Sequence, residues 1–140
     1  MEKAHLNFFE AGADVAITST YQASFEGFAK KGFSKEQSIE LFKKSIQIAE
    51  SARDKFMESN KDEKRLRPVI AASLGCFGAL LADGSEYTGN YGKDKDFLKE
   101  WHSQRLSVLS ETSADIFAGE TIPCLVEAQA LVELFSESFS

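Results

Sequence analysis

The stretch VIAASLGCFG (residues 69–78) decides the fold, because a run of apolar residues leads directly into small and polar ones. The apolar run is VIAA at residues 69–72, and two other runs have the same character, VAI at residues 15–17 and IFA at residues 116–118. Each run is too short for a core helix, and small or polar residues bound it. These features favour β-strands that are buried on both faces. The sequence therefore predicts three strands.

A long helix is predicted between the first two strands. Ser34 and Gln37 have the spacing of a capping box, in which each side chain bonds the backbone N–H of the other residue. Apolar residues then recur at helical spacings from Ile39 to Phe56, which predicts about five or six turns. The charged stretch at residues 59–67 has no periodicity and is interpreted as a loop leading to the second strand.

Three more helices complete the pattern. Residues 4–11 form the tail of a first helix, Asp96 is the predicted N-cap of a helix before the third strand, and Pro123 opens the last one. The helix after Asp96 is expected to bury Leu98, Trp101 and Leu109, and the last helix to bury Ala128, Leu131, Val132 and Phe135. Residues 75–92 combine several glycines with aromatic residues, which indicates a folded, functional loop.

Helices and strands alternate along the chain, which predicts an α/β fold with parallel strands joined by right-handed crossovers. A parallel sheet of three strands would leave two strand edges unprotected. The chain of 140 residues is therefore expected to be one slice of a larger architecture.

The charge and hydropathy of the sequence argue against nucleic-acid and membrane partners. Asp and Glu outnumber Lys and Arg by 22 to 16 and the net charge is −6, which argues against a nucleic-acid partner. No apolar run approaches the roughly 18–20 residues that span a bilayer, and the first residues lack a secretion signal. We expect a cytoplasmic protein with no membrane partner. Cys76 and Cys124 are far apart in sequence, which favours free thiols over a disulfide or a zinc site.

Candidate functional residues follow the strands, because active sites of parallel α/β proteins form at the carboxyl ends of the strands. Glu120 is placed to bind a substrate ammonium or, alternatively, backbone N–H groups of the next helix. Tyr21 offers a hydroxyl or a ring face to a ligand, or else packs at the rim. His102 beside Trp101 is interpreted as a packed side chain. No phosphate-binding glycine motif is present.

Longer segments of the chain resemble a known family. The sequence is similar to homocysteine S-methyltransferases, especially those of plants and microbes, in four ordered segments: AGADVAITSTYQASFEGF (11–28), AASLGCFGALLADGSEYTGNYG (71–92), WHSQRL (101–106) and ADIFAGETIPCLVEAQALVELF (114–135). The resemblance implies a (β/α)8 barrel, of which this chain is a partial domain of about three parallel strands and four helices. Residues 1–140 would form a single N-terminal-half segment of that barrel.

The resemblance also implies an activity. Enzymes of this family move a methyl group from S-methylmethionine or S-adenosylmethionine to homocysteine, giving methionine, and hold the homocysteine sulfur on a zinc ion bound by three cysteines. By position, Glu120 corresponds to the carboxylate that binds the homocysteine amino group. The other substrate-binding residues implied are Tyr21 and Thr20 on one strand, Ser73, Leu74 and Gly75 on the next, and Asp83 and Ser85 on the donor side.

The chain departs from the family pattern in the metal site. The family's Asp-Gly-Gly strand and its Gly-Gly-Cys-Cys strand are absent, and Cys76 and Cys124 match none of the zinc-ligand motifs. We assign no catalytic and no metal-binding residue in this chain and expect it to be inactive alone. Two other functions are considered: a noncatalytic interaction module that pairs its strand edges with a second chain, and a small amino-acid-binding α/β domain that uses Glu120 without metal. The sequence leaves the methyl donor and the oligomeric state open.

Overall fold

The computed structural model describes residues 1–61 and 65–139. Its helices and strands follow one another in the order α1 (Glu2–Glu10), β1 (Val15–Ile17), α2 (Phe25–Ala29), α3 (Lys35–Ser59), β2 (Val69–Leu74), α4 (Phe77–Leu81), α5 (Ser85–Thr88), α6 (Lys95–Ser110), β3 (Ile116–Gly119) and α7 (Leu125–Ser138). All three predicted strands are present, and residues 62–64 of the predicted loop at 59–67 lie outside the described residues.

The strands form one parallel sheet in the order β1-β2-β3. Ile17, Ala71 and Ile116 stand side by side in the register of the sheet. Each crossover therefore moves the chain by one strand in the same direction, as it does around a (β/α)8 barrel. The predicted α/β class and parallel topology are confirmed.

One face of the sheet is covered by helices. Ile70, Ala72 and Leu74 of β2 pack against Phe42 of α3 and Leu109 of α6 in the main core cluster. These strand residues alternate in sequence, so their side chains share a face.

The other face of the sheet is partly uncovered. Val15, Ile17 and Ile116 are 46, 49 and 46% exposed, whereas Ala16 between the first two is buried. The expectation that every strand is buried on both faces is therefore wrong for β1 and β3, since no element of the described part of the chain packs over these side chains.

The capping residues fix where the helices begin. The capping box of α3 is present: the Gln37 N–H donates to Ser34 Oγ at 3.2 Å, and the Ser34 N–H donates to Gln37 Oε1 at 2.8 Å. The helix that follows has 25 residues, about seven turns, and so exceeds the predicted length. For α6, the predicted N-cap Asp96 is wrong, because Asp94 has the extended backbone and accepts from the Phe97 N–H at 2.8 Å.

The last helix buries a different stripe from the predicted one. Cys124 is its N-cap, so it begins after Pro123 rather than at it. Its buried residues are Glu127, Ala130, Leu131 and Leu134, while Val132 is 69% exposed. The predicted stripe was displaced by one residue because a glutamate was not counted among the buried positions.

The predicted functional loop at residues 75–92 is largely helical. It contains α4 and α5, which are separated at Ala82 and Gly84 by left-handed backbone. Gly89 and Gly92 also have positive φ and end the segment before α6. Within the described residues, no helix combines the length and apolar character that crossing a bilayer requires.

An ion pair between a buried arginine and a partly exposed aspartate closes the amino end of the sheet. Asp115, directly before β3, accepts from Arg53 Nη1 at 2.5 Å and from the Ile70 N–H at 2.7 Å. Arg53 is almost fully buried and also donates to the Pro68 carbonyl at 3.4 Å. This pair joins α3 to the beginnings of β2 and β3.

Candidate functional site

Glu120 lies at the carboxyl end of the sheet and reaches across to β2. Ser73 pairs with Ala118 in the sheet, and Glu120 lies two residues beyond Ala118, so both polar side chains point to the uncovered face. The Ser73 hydroxyl donates to Glu120 Oε1 at 2.5 Å, and the Glu120 N–H donates to the Leu74 carbonyl at 3.2 Å. The carboxylate is thus fixed at the mouth of the strands.

Threonine hydroxyls join the end of β1 to β2. The Thr20 hydroxyl donates to the Ser73 carbonyl at 2.7 Å and contacts the Thr18 hydroxyl at 2.9 Å. Thr18 Oγ1 in turn accepts from the Ser73 N–H at 3.2 Å. Thr20 is buried, and its hydroxyl is used in this chain of hydrogen bonds. It positions Ser73 beneath Glu120.

The ring of Tyr21 lies against Gly75. A Cβ added to Gly75 would stand 2.3 Å from Tyr21 Cδ2, so only glycine fits at this place. The Tyr21 hydroxyl lies 3.9 Å from Cys76 Sγ. Burial, the Cys76 contact and the nearby carboxylates of Glu86 and Glu120 raise the pKa of Tyr21 to about 12, so the phenol is protonated at neutral pH.

The buried side chain of Arg105 binds the backbone of the same strand ends. Arg105 donates from Nη1 to the Gly75 carbonyl at 2.8 Å and from Nη2 to the carbonyls of Thr20 and Tyr21 at 3.0 Å each. Its guanidinium carbon also lies 4.7 Å from the centre of the Trp101 ring. Burial lowers the pKa of Arg105 to about 10, which leaves it charged at neutral pH.

Sequence reasoning missed Arg105, although a signal was present. Arg105 falls at helical spacing between Trp101 and Leu109, on the stripe predicted to be buried. An arginine on an apolar stripe must find acceptors inside the protein. The carbonyls at the ends of parallel strands supply them.

The remaining residues singled out in the sequence lie in the core or in an exposed turn. The side chain of Leu74 belongs to the helix-covered core, so of this predicted substrate-binding residue only the backbone lies at the strand ends. Asp83 accepts hydrogen bonds from the N–H and the hydroxyl of Ser85 in an exposed turn at the start of α5. His102 is fully buried beside Trp101, as expected, and its Nε2 lies 2.8 Å from Glu127 Oε1.

The residues present do not fit a thiolate-held metal. Cys76 is buried next to Tyr21, and Cys124 contacts the Tyr91 hydroxyl at 3.4 Å. Across residues 1–61 and 65–139, no three side chains of histidine, cysteine, aspartate or glutamate gather into a group that could hold a metal ion.

The sheet order and the polar strand ends define the chain as part of a (β/α)8 barrel, the class of proteins whose active sites lie at this end of the strands. The family model for homocysteine S-methyltransferase matches residues 1–139. The chain belongs to this family.

Relatives from plants and bacteria agree with the family match. The chain is 50% identical to homocysteine S-methyltransferase 3 of Zea mays, with 98% of this chain and 42% of the relative covered. It is 49% identical to homocysteine S-methyltransferase YbgG of Bacillus subtilis, with 98 and 44% covered. The metallated form of the homocysteine methyltransferase MmuM from Escherichia coli superposes with a TM-score of 0.90 at 39% identity, with 98 and 47% covered. The chain spans less than half the length of these relatives.

Proposed function

We propose that this chain provides the amino-acid-binding part of a homocysteine S-methyltransferase site. The reaction would transfer a methyl group from S-methylmethionine or S-adenosylmethionine to the thiol of homocysteine, giving methionine. The observation that carries the proposal is the Glu120 carboxylate, held by Ser73 at the mouth of the parallel strands. The names of the relatives support homocysteine as the methyl acceptor.

Glu120 would bind the ammonium group of homocysteine. Its Oε1 accepts from the Ser73 hydroxyl, and no described residue donates to Oε2. Glu120 is half-buried, so an ammonium placed there would form a charge-assisted hydrogen bond with less competition from water. Tyr21 and the backbone of Gly75 would form the adjacent wall, with Thr20 holding Ser73 in place.

Activation of the sulfur lies beyond this chain's described residues. An unperturbed thiol has a pKa of about 8.5, so homocysteine stays mostly protonated at neutral pH unless its sulfur is activated. The described residues hold no cluster fit for the zinc ion that we expect in the complete enzyme. We therefore propose that this chain binds homocysteine without transferring a methyl group.

Two residues, Asp83 and Ser85, are predicted to lie near the methyl donor. Asp83 and Ser85 form an exposed turn, and the Ser85 bonds lower the pKa of the Asp83 carboxyl group. A carboxylate that stays ionised would attract the positive charge of a sulfonium donor. These two assignments, and a cytoplasmic location, stay predictions.

The proposal is tested by titrating the isotope-labelled chain with homocysteine in NMR experiments. We expect the signals of Ser73, Gly75 and Glu120 to shift, and an analogue without the amino group to leave them unchanged. Glu120→Gln should weaken binding about ten-fold or more, because a hydrogen bond to a charged group contributes about 1.5–3 kcal/mol. Glu40→Gln, at an exposed position of α3, is the matched control. Unmoved Ser73 and Glu120 signals at saturating homocysteine would overturn the proposal.

A second candidate, the interaction module, is favoured by the uncovered face of the sheet. Val15, Ile17 and Ile116 leave about half of their surface open on that face, and β1 and β3 are both edge strands in the described part of the chain. Unpaired edges and exposed apolar side chains favour pairing with another polypeptide. Light scattering after size exclusion tests this function: a concentration-independent monomer without bound partner would argue against it.

A further inference from the structure

Glu127 on α7 is a fully buried carboxylate that the proposed function does not use. Its Oε1 accepts from the Phe77 N–H at 2.7 Å and lies 2.8 Å from His102 Nε2. Its Oε2 accepts a hydrogen bond from the Tyr91 hydroxyl. A buried carboxylate is tolerated only when it is fully hydrogen-bonded. Here three donors, from three different parts of the chain, surround one side chain.

The protonation states of the two aromatic partners fit this arrangement. Burial lowers the pKa of His102, so the ring is neutral near pH 7 and donates through Nε2. Its Nδ1 is buried without a partner in the described part of the chain, as a neutral ring with the proton on Nε2 allows. Burial and the contacts with Cys124 and Glu127 raise the pKa of Tyr91, so this phenol also remains a donor.

Arg105 and Glu127 hold the turn after β2 at two different residues. Arg105 binds the Gly75 carbonyl, and Glu127 binds the Phe77 N–H, with Cys76 between them. Because the ring of Tyr21 lies directly on Gly75, the position of this turn sets the position of the ring.

The same carboxylate fixes the carboxyl end of the segment at residues 82–91, which contains α5. Tyr91 bonds Glu127, and the backbone of Gly89 lies so close to Cys124 that an added Cβ would stand 2.6 Å from the Cys124 Cβ. The start of α5 is held by a second contact, in which the backbone of Glu86 packs closely against Gly78 of α4. The turn beside Tyr21 and the segment carrying Asp83 and Ser85 therefore share one anchor.

We propose that Glu127 is a positioning residue for the amino-acid site. It touches no substrate; it holds the turn at residues 75–77 against Tyr21 and thereby fixes the wall beside Glu120. The inference rests on the proposed function for the identity of the ligand, but the position of the wall can be measured without any ligand.

The test compares three substitutions of Glu127 with a control elsewhere in the chain. Glu127→Leu removes the acceptors at similar volume, Glu127→Asp keeps the charge but withdraws it from Phe77, and Glu127→Gln keeps an acceptor at the same reach. Phe56→Leu destabilises a separate cluster with Phe9, Ala16 and Ala52, which contains none of the residues that follow the strands. One readout is the NMR shift of the Gly75 α-protons, one of which points at the Tyr21 ring and is therefore sensitive to the distance of the ring. The other is the affinity for homocysteine.

We expect Glu127→Leu and Glu127→Asp to move the Gly75 signal toward its random-coil position. Homocysteine binding should weaken several-fold, because the wall beside Glu120 is displaced. Glu127→Gln should retain both properties, and Phe56→Leu should lower the melting temperature and change neither. If Glu127→Leu does not fold, Glu127→Asp decides the question.

Two results overturn the inference: Glu127 variants that lose stability with an unchanged Gly75 signal, or an equal Gly75 change in Phe56→Leu. If the wild-type chain does not bind homocysteine, the proposed function is contradicted. The Gly75 shifts of the Glu127 variants and of Phe56→Leu would still decide whether Glu127 positions the wall.

Discussion

A buried arginine lies at each end of the sheet, and the two have different partners. At the amino end, Arg53 faces the carboxylate of Asp115. At the carboxyl end, the described hydrogen bonds of Arg105 all go to backbone carbonyls, while Glu120 bonds a serine hydroxyl and, among the described residues, no cation. The amino end thus neutralises its own charges, whereas the carboxyl end keeps a carboxylate available. This difference separates the structural ion pair at the amino end from the proposed binding site at the carboxyl end.

The largest effect would be methyl transfer by this chain, because the carboxyl end of the sheet would then catalyse a reaction as well as bind a ligand. We expect no methyl transfer when the chain is supplied with homocysteine and S-methylmethionine, because no described residue group activates the thiol. Methionine formation would be followed by chromatography, with the Escherichia coli homocysteine methyltransferase MmuM as positive control. Turnover by this chain would show that the carboxyl end does more than bind.

The next largest effect is expected from Asp115→Ala at the amino end. The substitution removes the shorter of the two carboxylate contacts of Arg53, leaving Glu50 at 3.7 Å, and leaves the Ile70 N–H without its acceptor. The free energy of unfolding should therefore fall by about 1–3 kcal/mol. Urea denaturation measures the loss. Homocysteine affinity of the folded variant should equal that of the wild type, and a parallel loss of affinity would mean that the two ends are not independent.

A smaller effect is expected from pH, through His102 at the carboxyl end. Because burial lowers the folded-state pKa of His102, the unfolded chain binds the proton more readily below its ordinary pKa of about 6.5. Stability should therefore be full above that pH and fall as the pH drops toward the folded-state pKa. His5 has a lowered pKa for the same reason and acts in the same direction. Urea titrations from pH 7.5 to 5 on His102→Gln and His5→Gln separate them: the slope should shrink in both single variants.

The smallest effect on stability is expected from Glu120→Ala. A half-exposed carboxylate with no cationic partner contributes little to folding, so the free energy of unfolding should change by less than about 1 kcal/mol, while homocysteine binding is lost. A large destabilisation would place Glu120 with Asp115 as a structural residue and would remove the contrast between the ends.

The strands were predictable from sequence because short apolar runs between helices allow few alternatives. The bounds of Val15–Ile17 were predicted as observed, and β2 and β3 extend beyond their apolar cores to Leu74 and Gly119. The uncovered face was not predicted, because the exposure of a strand side chain depends on which elements pack over the sheet. The residues of the strands alone do not determine that.

The site was predictable only in part, for a related reason. Glu120 and Ser73 could be placed together because the ends of parallel strands meet, as their hydrogen bond confirms. Arg105 and Glu127 were missed because a charged residue was counted as solvent-exposed. Both are held by backbone groups at the strand ends, which a pattern of side chains does not display.

The row Ile17, Ala71 and Ile116 places a methyl group between two branched side chains on the uncovered face. Ala71 is only 1% exposed, whereas the two isoleucines are about half exposed, so the isoleucines form the open surface of this row. A side chain brought in from the far side of a closed barrel would pack on the isoleucines rather than between them. Because no space is left above Ala71, Ala71→Leu should push the isoleucines apart and disturb this layer of the interior, while leaving the helix-covered core intact.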